Sequence, residues 1–300
     1  MSLVVNWKAS TGADKYRIYR SNKKFTNAAL PTDVVEVDKA MLSKEYADSV
    51  RNTTYWFMIS SVDVNGIETL GTPFPVGYFP ETGPGPQTIL RGDWEFGMFG
   101  EVNVTDVLTR AQIVATIALA GKTLTLNPTL YDKYIKVIVA GKILFIPNNY
   151  ISYNSIAASV EATDYVKTHG IEITRANSLI MSSNGWDYMY RLPNASKDPA
   201  KYFANAVPDF NSDDYIGSEA AMLAGLFNNI SQNPALVNSL NVGAPTTKYH
   251  LGDMVMTLYP PVAALNPANS KSIYGIQSNG SIAAVSGTTM RFWPVLELML

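Results

Sequence analysis

Hydrophobic and polar residues alternate with a period of two through the first part of the chain. Leu3-Val4-Val5-Asn6-Trp7 runs into a polar turn at Ser10-Thr11-Gly12. In Tyr16-Arg17-Ile18-Tyr19-Arg20 the alternation puts Tyr16, Ile18 and Arg20 on one face and Arg17 and Tyr19 on the other. A longer strand is predicted from Tyr55 to Val62, ending at the hairpin signal Asn65-Gly66. Strands recurring about every ten residues, without a helical period, predict an antiparallel sandwich. Trp7 and Trp56 are expected in its core, because each lies on a strand whose other face is polar.

The pattern changes after Pro80-Glu81-Thr82-Gly83-Pro84-Gly85-Pro86. Alternating Gly and Pro continue neither a helix nor a central strand, so residues 81–88 are read as a short, semi-rigid linker. Beyond it, residues 107–119 carry apolar positions at helical spacing, with Thr105 or Asp106 to cap the helix and Gly121 to stop it. Residues 134–139 and 143–146 flank Ala140-Gly141-Lys142 and predict a β-hairpin. Residues 218–230 predict an amphipathic helix capped by Ser218, and residues 292–298 a buried closing strand. This mixture predicts an α+β region of residues 89–300 behind a β-sandwich of residues 1–80.

Composition narrows the function classes. Only 16% of the 300 residues are charged, below the roughly 25% of ordinary soluble chains. With 17 Tyr and many Asn, Ser and Thr, the surface suits packing against other protein. A net charge of −2, with no basic patch beyond Lys23-Lys24, argues against nucleic acid as a partner. There is no cysteine, so disulfides and thiolate metal sites are excluded. The longest apolar stretch, residues 135–147, is interrupted by Lys136, Gly141 and Lys142, so membrane insertion is not expected. The start of the chain lacks the basic end and long apolar run of a secretory signal.

Candidate chemistry is sparse. His169 and His250 read as structural or surface residues, and no Gly-rich phosphate loop or metalloprotease pattern occurs. Asp209, Asp213, Asp214 and Glu219 are the densest acidic group, read as a solvated loop ending in a helix cap. The alternatives for that group are a calcium site or paired carboxylates of a glycan hydrolase. Trp186, Tyr188 and Tyr190 recur at alternate positions of one strand, either as core or as a platform that stacks on a sugar. No cofactor, metal or catalytic residue is expected.

Two resemblances extend this reading. Trp7, Thr11-Gly12-Ala13 and residues 16–20 resemble the second and third strands of a fibronectin type III module, an immunoglobulin-like fold, and residues 55–66 its sixth strand and following hairpin. The chain starts where the second strand should, which leaves no room for a first strand and predicts an open edge or one filled from elsewhere. Further on come Gly92-Asp93, then residues 97–102, then residues 141–147. Residues 188–193, Gly217-Ser218-Glu219 and Pro294-Val295-Leu296-Glu297-Leu298 follow in order. These segments resemble a domain of tailed-phage virion proteins that often follows immunoglobulin-like modules. Ala220 and Phe292-Trp293 stand where that domain usually has Trp and Trp-Arg. Arg91-Gly92-Asp93 spells an adhesion tripeptide, but its Gly and Asp already belong to the motif that opens this domain. The resemblance implies a non-enzymatic structural virion protein of tail, fibre, baseplate, collar or capsid decoration. It would be assembled in the host cytoplasm, partnered by other virion proteins, and present as a homo-oligomer or multi-copy subunit. A carbohydrate-binding module that attaches to a host surface glycan is the alternative.

Overall fold

The structure, a computed structural model, describes residues 2–122, 132–148, 151–155, 179–193, 218–219, 255–257, 273–276, 282–285, 289–292 and 294–300. The chain is mainly β, built of several sheets in which antiparallel pairing dominates. It divides into two compact units, one of Met1–Thr82 with Asp93–Glu95 and the other of Gly83–Gly92 with Phe96–Leu300.

The first unit holds β1 (Leu3–Asn6), β2 (Lys15–Ser21), β3 (Val34–Asp38), β4 (Ser43–Tyr46), β5 (Thr53–Val62), β6 (Glu68–Thr69) and β7 (Phe74–Tyr78). β1 pairs with β4, and a second sheet runs β3-β2-β5-β6 with β7 also on β5. β6 and β7 share one edge of β5, with a break between them. Pro75 sits there on the outer strand, where a missing N–H costs no central ladder bond. Leu3, Val5, Tyr16, Ile18, Val37, Tyr46, Tyr55, Phe57 and Tyr78 form the core, with Trp7 packed partly against it.

Trp56 is buried, as expected, but belongs to the other face of β5. Strand alternation sends Tyr55 and Phe57 into the core, so Trp56 points away and lies under the Lys24 ammonium, 4.8 Å from the ring centre. Asp93–Glu95 is held in this unit by three contacts. Trp94 stacks on Phe79 at 5.4 Å, Thr54 Oγ1 donates to Trp94 O at 3.0 Å, and Glu95 pairs with Lys24 at 3.2 Å.

In the second unit come β8 (Arg91–Gly92), β9 (Phe96–Asn103) and α1 (Arg110–Leu119), followed by β10 (Lys133–Val139), β11 (Lys142–Pro147) and β12 (Ser152–Ser155). Then come β13 (Leu179–Ser183), β14 (Trp186–Arg191), β15 (Val255–Thr257), β16 (Ile273–Ile276), β17 (Ile282–Val285), β18 (Thr289–Phe292) and β19 (Val295–Leu298). Seven strands form one sheet in the order β13-β14-β19-β11-β10-β9-β8, and five form another, β12-β18-β15-β16-β17. The expected hairpin is β10–β11, turned by Ala140 and Gly141 at φ 48° and 77°. Two successive positive φ values make the two-residue turn whose twist matches antiparallel strands.

The helix begins later than the sequence predicts. Residues 104–106 form a 3₁₀ turn, and Thr109 caps α1 in a reciprocal box with Gln112. That box satisfies two end amides at once, which neither Thr105 nor Asp106 does. The predicted helix of residues 218–230 lies outside the described residues except for Ser218 and Glu219. The strand predicted over residues 292–298 is divided: Phe292 ends β18 in the five-stranded sheet, and Val295–Leu298 form β19 in the interior of the seven-stranded sheet.

Candidate functional site

Cross-strand partners sort the seven-stranded sheet into two faces. Lys136, Phe145, Leu296 and Tyr190 lie opposite one another in a row across β10, β11, β19 and β14. Val137, Leu144, Glu297 and Met189 form the adjacent row, on the other face. β10 is buried on both faces, which explains its near-continuous apolar run. Each face nevertheless contains buried charge.

On one face Arg191, at the end of β14, is the hub. Its Nη1 and Nη2 donate to the two carboxylate oxygens of Glu219 at 2.6 and 2.7 Å, and its Nε donates to Glu297 Oε2 at 2.7 Å. Nη1 also donates to Leu192 O at 2.9 Å, and Lys142 Nζ stands 3.7 Å from Glu219. Arg191, Glu219 and Glu297 are 6%, 3% and 4% exposed, so water has little access to them. Burial by itself would lower the pKa of Arg191, but Glu219 and Glu297 outweigh it and hold the guanidinium above its ordinary value. Two cations and two carboxylates balance. The planar fork is spent on bidentate and single contacts within the cluster. Chemically, this cluster positions β14, β19 and Ser218–Glu219 against one another.

The sequence does not show the cluster as a unit. The acidic run around Glu219 predicts a solvated loop, and Arg191's guanidinium draws Glu219 into the interior instead. Asp209, Asp213 and Asp214 lie outside the described residues, as do His169 and His250. Lys142, Arg191, Ser218–Glu219 and Glu297 all come from the separate short segments quoted above, and the structure brings them together.

The opposite face is covered by the Gly/Pro segment, which packs into the second unit where the sequence suggests a spacer. Lys136 Nζ donates to Gly83 O at 3.3 Å and to Pro86 O at 2.7 Å. The ammonium also lies 4.9 Å from the centre of the Phe99 ring and 5.9 Å from that of Phe145. Gln87 Nε2 ties the segment to itself, donating to Gly83 O and Gly85 O at 2.7 and 2.8 Å. A Cβ at Gly85 would stand 2.4 Å from Val102 Cγ2, so the close fit depends on glycine there.

Trp186, Tyr188 and Tyr190 occupy β14 as expected, but only Trp186 reaches the surface in part. Tyr188 and Tyr190 are fully buried, Tyr188 edge-on to Phe145 at 5.6 Å, so neither offers a ring face to a sugar. Arg91 and Gly92 form β8, and Asp93 Oδ1 accepts from the Glu95 amide at 2.8 Å. Among the described residues, no three His, Asp or Glu side chains gather as a metal site, and no helix is long and apolar enough to cross a membrane. No protein-family model, curated protein or solved structure matches the chain.

Proposed function

We propose that the chain is a non-enzymatic structural protein of a tailed-phage virion, acting through protein–protein assembly. The observation that carries this reading is the convergence of Lys142, Arg191, Glu219 and Glu297. Four of the short segments that resemble the virion domain, dispersed along the chain, meet in one buried cluster whose chemistry is to hold strands in place. A motif spent on rigidity suits a subunit of a large particle better than a catalyst, which needs an accessible reacting group.

The first unit supports a fibronectin type III reading. Its pairing, β1 with β4 and β3-β2-β5 with β6 and β7, is consistent with the strand order of a two-sheet immunoglobulin-like sandwich. The Tyr55 hydroxyl, near the start of β5, accepts the Val50 amide at 2.8 Å across the preceding corner. This bond resembles the tyrosine corner of immunoglobulin-like folds and supports that reading.

Antibodies raised against the chain should label purified particles, and the chain should co-sediment with them through a density gradient. A chain left wholly in the soluble fraction of a lysate, with no label on particles, would overturn the proposal.

A further inference from the structure

In the first unit β1 and β4 form a sheet of their own, and antiparallel geometry fixes which backbone groups lie on its outer edges. The Trp7 amide donates to Leu42 O at 3.0 Å, one step beyond the Asn6–Ser43 pair of this ladder. Bonded pairs alternate along such a ladder, so Leu3 and Val5 turn their N–H and C=O groups towards β4. Val4 and Asn6 turn theirs away. Both residues are exposed, and among the described residues no strand pairs with that outer edge. On β4 the outward residues are Ser43 and Glu45.

An unpaired edge invites another strand unless charge, proline or a bulge guards it. The other edge strands of this unit are guarded. β3 carries Glu36 and Asp38, β4 carries Lys44 and Glu45, β6 carries Glu68, and β7 carries Pro75. β1, Leu3-Val4-Val5-Asn6, has no charge, proline or glycine. Self-pairing separates the two strands of this sheet further. The two-fold register that pairs both outward residues of β4 sets Lys44 against its own counterpart, and like charges directly opposed are destabilising. The equivalent register of β1 sets Val5 against Val5 and Val4 against Asn6, with no charge opposed.

We propose that the outer edge of β1 is a self-association edge, on which a second copy of this chain lays its own β1 antiparallel about a two-fold axis at Val5. The two copies then share one continuous sheet in the order β4-β1-β1-β4. Val4 and Asn6 of each copy exchange N–H and C=O bonds with Asn6 and Val4 of the other, and Val5 meets Val5 in the close, non-bonded pair at the axis. A second copy fits better than an unrelated strand, because this edge carries no charge that would select a different sequence and its outward residues complement themselves. The contact is isologous and closes at two copies. It is also short, since β1 has 4 residues, so the association is weak and concentration-dependent.

The test is the oligomeric state of the intact chain, by sedimentation velocity up to about 1 mM, the weak end of specific association. Wild type should move from monomer towards dimer as the concentration rises. Asn6→Pro deletes an outward amide on both copies but takes no bond from the ladder with β4, and should weaken dimerisation about tenfold or more. Should that variant not fold, single cysteines read the register. The chain has no cysteine, so an introduced one can pair only with its counterpart. Val5→Cys, although buried, should give a disulfide-linked dimer under mild oxidation, because the two sites face each other with Cα atoms about 4.5 Å apart. Val4→Cys, although exposed, should link far less, because its two sites lie on a diagonal of about 7–8 Å. A wild type that stays monomeric throughout overturns the proposal, as does a dimer that Asn6→Pro leaves intact or a Val4→Cys that links faster than Val5→Cys. This inference goes beyond the virion reading and fails separately from it: particles that carry the label while the free chain stays monomeric would sink the edge alone.

Discussion

The two units use opposite arrangements of charge on similar antiparallel sheets. In the first, every ion pair keeps at least one partner open to water, although Arg20 and Glu68 are themselves largely enclosed. Lys15 and Arg17 share Glu36, whose side chain is 43% exposed, and Arg20 bridges Asp33 and Asp48. In the second, Lys133–Glu101 is also exposed, but Arg191, Glu219 and Glu297 are enclosed. The same chemical pair has different consequences in the two settings. At the surface, water competes for each partner, so the bond adds little to stability. In the interior, forming the pair offsets a large desolvation cost, and the loss of one partner leaves a bare charge with no water to replace it. The first unit is therefore expected to tolerate loss of a charge such as Glu36, and the second to depend on its buried charges remaining paired.

The sharpest way to break this contrast is Arg191→Met. It leaves Glu219 and Glu297 buried without the guanidinium that pairs with both, and unfolding of the second unit should become easier by about 3–5 kcal/mol in a denaturant titration. Combining it with Glu219→Leu and Glu297→Leu removes the stranded charges and should recover most of that loss. A single variant as stable as wild type would mean that the cluster is not closed to water.

Tyr55→Phe probes the first unit at an intermediate scale. The change keeps the ring among Phe57, Tyr46 and Tyr78 but deletes the oxygen that accepts the Val50 amide. A part-buried donor loses its partner, and the cost should be about 1–2 kcal/mol by the same titration. An unchanged midpoint would show that water replaces the hydroxyl at that corner.

Legibility in the sequence follows how local each signal is. β1, β2 and β5 are visible because alternation acts between neighbours, and the Ala140-Gly141 turn because two flanking apolar runs frame it. β3, β4, β6 and β7 are short or mostly half-exposed, and alternation over two to five residues carries little signal. The turn at Asn184-Gly185, with φ 52° and 80°, repeats the hairpin signal of Asn65-Gly66 and is open to the same reading. Arg191 cannot be paired in advance. Its partners lie 28 and 106 residues away, and a lone Glu in an acidic run looks solvated until the fold delivers an arginine to it. The Gly/Pro segment misleads for a related reason. Composition says what the segment cannot become, but the lysine that seats it lies 50 residues further along.

The smallest expected effect belongs to Glu36→Gln. Glu36 accepts from Lys15 Nζ at 2.6 Å and from Arg17 Nε at 3.1 Å, and these bonds, Lys15 first, hold its carboxyl below the usual range. A carboxyl lowered in this way stabilises the fold above its ordinary pKa, and the contribution fades as the pH falls through the lowered value. At pH 7 the contribution is therefore fully present and any effect of the substitution is at its largest. Even so, all three side chains are more than a third exposed, and water screens the pair. The melting temperature of Glu36→Gln at pH 7 should match wild type within error, at low salt and at high salt alike. A loss that approaches that of Arg191→Met would mean that charge placement does not separate the two units, and that the first unit relies on its surface network no less than the second relies on its buried cluster.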